Sequence, residues 1–132
     1  MFLKRLDQIE KEAFISLAVR AAEANGQVAD EEYQMIEEYC EEMGIAFFDA
    51  RNVKSLEEVI QVFADSDDQH KKIAVLEIIG LMYADGSYDN EEKEFVSKFA
   101  DGIGVASPDV KKCDEVLTKY INMTRELLDC IE

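Results

Sequence analysis

One proline, one histidine and three cysteines among 132 residues rule out several kinds of chemistry. The cysteines, Cys40, Cys113 and Cys130, are odd in number and form no C-x-x-C pair. That excludes a disulfide framework and a zinc ribbon, and fits a reducing compartment. His70 has no cysteine or serine nucleophile readable beside it, and no G-x-S-x-G is present. The six glycines make no phosphate-binding pattern. Basic residues are also scarce, at 14 Lys+Arg against 30 Asp+Glu for a net charge of −16. Such a surface repels phosphate backbones and anionic head groups, which argues against nucleic acid and bare membrane as partners. The longest apolar run, Ile73 to Ala84, contains Glu77 and falls short of the roughly 20 residues that span a bilayer. The opening "MFLKRLDQIEKEAF" turns charged too early for a signal peptide. These absences lead us to expect a cytoplasmic protein, not inserted in a membrane and not an enzyme, whose partners are cations or basic protein faces.

A hydrophobic fraction of 48% is enough for one core in a chain of this length. The chain also repeats itself at an offset of 60 residues. "ANGQVADEEYQMIEEYCEEMGI" from Ala24 aligns without gaps on "ADGSYDNEEKEFVSKFADGIGV" from Ala84. Gly26/Gly86, Glu31/Glu91, Glu32/Glu92 and Gly44/Gly104 are identical, and Ile36/Val96 and Tyr39/Phe99 are apolar or aromatic in both. Two copies are too few for a solenoid. The expectation is an all-α, single compact domain of two pseudo-symmetric helix-turn-helix repeats, about 10–45 and 68–105. A linker helix over about 55–65 joins them, and a C-terminal helix over about 107–131 follows.

The helices are read from spacing and caps. Phe14, Leu17, Ala18, Ala21 and Ala22 recur at three- and four-residue steps, as a helix buried on one face requires. "IAVLEIIGLMYA" is apolar nearly all round and is expected at the centre of the core. Gly26 and Gly86 are expected to end the first helix of each copy, and Gly44 and Gly104 the second. Ser55 with Glu58, and Asp89 with Glu92, have the spacing of capping boxes. Copy one has Ala29 where copy two has Asp89. Ser107 is expected to cap the last helix, with Pro108 at its first position. Its apolar face runs through Val110, Val116, Leu117, Ile121 and Leu128.

A helix ending in "ADG", followed by an acidic cap with Glu seven residues after the Asp, resembles the TerB-like family. These small helical domains are named for tellurite resistance and also occur in membrane-anchored J-domain co-chaperones. The resemblance covers roughly residues 10 to 105 and rests on "YADGSYDNEEKEFV" and, more weakly, "EANGQVADEEYQMI". It implies an all-helical domain of two related halves with acidic residues near the two turns. It also implies a part in bacterial stress-response complexes that involve metal ions and a membrane partner protein. By position, Asp85 and Glu92 match the family's acidic pair in copy two. In copy one Glu32 matches, but Asn25 stands where Asp is expected, which removes a charge from any site there.

"YADGSYDNEE" therefore carries two readings. Asp85, Asp89, Glu91 and Glu92 supply oxygen ligands of the kind that hard cations such as Ca²⁺ or Mg²⁺ take. The spacing is not an EF-hand, since Asn90 and Val96 stand where glycine and glutamate are needed. The same residues also make a well-capped turn with no ligand. The candidate metal ligands are Asp85, Asp89 and Glu92, with Glu32 and Asn25 as the weaker counterpart. The functional expectation is an interaction or sensing module tuned by a cation; the alternatives are a metal-dependent hydrolase-like enzyme and a ligand-free scaffold.

Several other residues carry expectations. Arg20 and Glu77 interrupt core-facing stretches; they either pair across the central helices or reach solvent along an edge, and the edge reading is preferred. His70 is read as a solvated helix-start residue. Cys40 and Cys113 are read as small packing residues. Phe47 and Phe48, in "IAFFDA", are read as a plug between the halves; if exposed instead, they mark a contact patch for a partner.

Overall fold

A computed structural model describes residues 1–24, 30–45, 52–83 and 88–132. Among them lie six α-helices and no strand: α1 Gln8–Glu23, α2 Asp30–Met43, α3 Leu56–Ala64, α4 Asp68–Met82, α5 Asn90–Ile103 and α6 Ser107–Ile131. A one-turn 3-10 helix, Leu3–Arg5, precedes α1. The chain is all-α, as the spacing of apolar residues required.

α4 is the centre. It touches α1, α2, α3, α5, α6 and the 3-10 turn, and Ile73, Ala74, Val75, Ile78, Ile79, Leu81 and Met82 are buried along it. The buried side of α1 carries Phe14, Leu17, Ala18, Ala21 and Ala22. Two edge-to-face aromatic pairs tie the layers together. Phe14 meets Tyr39 with ring centroids 5.3 Å apart, and Phe63 meets Phe99 at 5.9 Å.

The helix ends follow local chemistry. Ser55 and Glu58 close a capping box on α3, and Asp89 and Glu92 close one on α5. Gly44 and Gly104 sit at φ 73° and 85°, a conformation that costs glycine little. In both places the next residue donates its N–H five residues back, Ile45 to Cys40 and Val105 to Ala100. Gly26 and Gly86 lie outside the described residues, as do Ala29, Phe47 and Phe48.

Three details differ from expectation, while Arg20 follows it. The cap of α6 is Ala106, not Ser107. The Ala106 carbonyl accepts the N–H groups of Asp109 and Val110, so the helix begins one residue earlier than the serine suggests. Arg20 is an edge residue, 36% exposed, and donates to the Lys54 and Val53 carbonyls. Glu77, by contrast, is buried and pairs with the Met1 amine at 2.9 Å while accepting the Phe2 N–H at 2.8 Å. Finally, α6 buries only Leu117; Val116 and Leu128 are exposed.

Candidate functional site

The turn between α4 and α5 is bracketed by two tyrosines. Tyr83 closes α4 and Tyr88 precedes α5, and their rings pack at 5.3 Å between centroids. The Tyr83 hydroxyl donates to Asp114 Oδ1 at 2.6 Å, which fastens the end of α4 to α6. Lys93 lies 5.4 Å from the centroid of the Tyr88 ring, a cation–π arrangement. Burial, then Asp114, Tyr83 and Glu92, push the Tyr88 phenol up. It stays neutral and acts as a wall of the site. A groove of about 240 Å³ opens here, lined by Tyr88, Lys93, Asp101, Lys111 and Asp114.

Asp89 and Glu92 face each other across the first turn of α5. Asp89 Oδ1 accepts the Glu92 N–H at 2.9 Å, and Glu92 Oε1 accepts the Asp89 N–H at 3.2 Å. The two carboxylates differ sharply in surroundings, because Asp89 is exposed and Glu92 is 0% exposed. A buried carboxylate is tolerated only where donors or positive charge hold it, and the amides and dipole of the helix N-terminus provide part of that. Of the other candidate ligands, Asp85 and Asn25 lie outside the described residues, as does the side chain of Glu32 on α2. Among the described residues no group of three or more His, Cys, Asp or Glu side chains could hold a metal ion. Asp89 and Glu92 supply hard oxygen donors, which fit Ca²⁺ or Mg²⁺ in kind and make two of the six or more those ions take.

A second polar cluster escaped the sequence reading. Glu10 completes a capping box with Asp7 at the start of α1, and it is buried. His70 Nδ1 lies 2.7 Å from Glu10 Oε1, and the Ser66 hydroxyl donates to Glu10 Oε2. His70 is therefore a buried-carboxylate partner, not a solvated helix-start residue. "DQIE" carried the capping signal, but nothing local could reveal partners 56 and 60 residues away. Serine, histidine and an acid are the residue types of a hydrolytic triad, yet the order is wrong for one. The hydroxyl donates to the glutamate and not to the imidazole, so the histidine does not activate it. The cluster ties α1 to the turn between α3 and α4 at the floor of an open cleft of about 650 Å³.

A family model described as Tellurite resistance protein TerB matches residues 11–115. The chain belongs to the TerB family. The match takes in both acidic turns, α1 from Lys11 onward, α2 through α5 and the first nine residues of α6. Neither curated proteins nor solved structures give a match. The TerB assignment thus covers the capped start of α5, and of the second cluster it covers Ser66 and His70 but starts one residue after Glu10. Among the described residues no helix is long and apolar enough to cross a membrane.

Proposed function

We propose that this TerB-family chain is a non-enzymatic interaction module in a tellurite-resistance-type stress response. On this reading it works in the cytoplasm on a protein partner at the membrane, and a divalent cation at the turn before α5 tunes the contact. The observation that carries the proposal is Glu92, a fully buried carboxylate at the root of the most acidic turn, inside the family-matched segment. Asp85, Asp89 and Glu91 crowd the same eight residues, so their mutual repulsion is relieved by a hard cation. Binding there sets the angle between α4 and α5. The net charge of −16 supports a cation or a basic protein face as the ligand.

Isothermal titration of chelator-stripped protein with Ca²⁺ and Mg²⁺ tests this reading. The expected result is saturable binding near one ion per chain, weakened about tenfold or more by Asp85→Asn and by Glu92→Gln. Only a weak heat that salt abolishes would overturn the cation site. A second reading, a ligand-free capped turn, is favoured by the closed pair of bonds between Asp89 and Glu92. It predicts no cation response, and for Glu92→Gln a cost of only about 1 kcal/mol.

A further inference from the structure

α6 is two helices in one. In its first half Leu117 is buried, and Val110, Cys113 and Ile121 pack on the core. Beyond Ile121 every residue to Glu132 is exposed. The apolar pattern nevertheless continues. Val116, Tyr120, Met123, Leu127 and Ile131 follow one another at steps of four, three, four and four residues, with Leu128 beside them, and all six are exposed. That is the spacing of a helix seam that packs on another helix. A projecting segment about 15 Å long gains no tertiary support unless something covers this face.

We infer that the free half of α6 is a self-association surface, pairing antiparallel with the same segment of a second copy. Charge selects the occupant. α2 carries seven acidic residues and no basic one, whereas α6 has five acidic against four basic. On a chain of net charge −16, α6 is where two copies meet with little repulsion. Charge also selects the direction. Lys119 and Glu126 lie on the same edge of the seam, and an antiparallel pair sets each Lys119 opposite Glu126 of the other copy. A parallel pair sets them instead beside Thr124 and Ile131, and brings the two acidic bodies side by side. The antiparallel arrangement holds the bodies at opposite ends and brings Ile131 of each copy near Val116 of the other. Covering six half-exposed side chains on each of two copies buries on the order of 1,000 Å², the small end of specific interfaces. The seam starts just past residue 115, where the family match stops.

Sedimentation equilibrium from about 1 µM to about 1 mM tests the inference, because that span brackets the affinity of so small an interface. The expected result is a concentration-dependent dimer that tightens with added salt, since screening weakens repulsion between the bodies. Met123→Glu with Leu127→Glu gives a monomer throughout with unchanged helicity, because both side chains are exposed in the single copy. Lys119→Glu weakens the dimer several-fold, and adding Glu126→Lys restores it. Oxidation leaves Cys130 uncrosslinked, because antiparallel pairing holds the two copies of it about 22 Å apart. A wild-type monomer at the highest concentration, or a dimer indifferent to the double glutamate variant, overturns the proposal. Rapid Cys130–Cys130 crosslinking overturns the antiparallel arrangement. A monomer that co-sediments with phosphatidylcholine vesicles overturns self-association and gives the face to lipid.

Discussion

The start of α5 and the far half of α6 reverse the usual distribution of side chains in opposite ways. At the first, a carboxylate is drawn inside, with Glu92 fully buried at its helix start. At the second, apolar side chains are left outside, with Ile131 81% exposed. Each arrangement is unfavourable alone: one buries charge and the other wets an apolar face. The family match includes the first and ends before the second. The buried carboxylate thus lies inside the segment that matches the TerB family, and the apolar seam lies past it.

The sharpest way to break this comparison is within α6 itself. Leu117→Ala empties a buried site and is expected to cost about 3 kcal/mol, whereas Leu128→Ala stays within about 0.5 kcal/mol in the dilute monomer. Urea unfolding of both variants checks this, and equal losses would mean the far half of α6 packs on the body. Next in size are the caps. Asp89→Ala and Ser55→Ala each remove a side-chain acceptor, at about 1 kcal/mol. Ser107→Ala is close to neutral in the same urea unfolding, because Ala106 holds the cap position.

The smallest effect concerns pH, and only its direction is set. Burial lowers the Met1 amine, but the Glu77 and Glu42 carboxylates more than offset it, leaving the group above its ordinary value of 8.0. A raised folded value stabilises fully below the unfolded one and is lost as pH climbs through it. Unfolding midpoints are therefore expected to fall above about pH 8, and Glu42→Gln flattens that fall. A midpoint indifferent to pH in this range would remove the amine from the account.

Much of the fold was readable because it is written in local spacing. Ser55 and Glu58, Asp89 and Glu92, and the left-handed glycines Gly44 and Gly104 act within one turn of their own helix. The partners of Glu77 and Glu10 were not readable, because the Phe2 amide and the His70 ring lie 75 and 60 residues away in the chain. Nor could spacing distinguish Leu117 from Leu128. Both lie on one apolar face, and only the body's extent decides which is covered. The candidate site was legible as a capped acidic turn, with Asp89 and Glu92 placed as their spacing required. A bound cation is not legible at all in that spacing, because two carboxylates on one helix supply only part of the six or more oxygens such an ion takes.

The most direct test of the central claim is an amide-resolved NMR titration of chelator-stripped protein with Ca²⁺, run at a concentration where α6 is unpaired. The account predicts saturable shifts at Asp85, Asp89 and Glu92, with the amides of Met123 to Ile131 unmoved. Small, non-saturating shifts spread over all acidic helices would contradict it, and would leave the turn before α5 as a cap without a ligand.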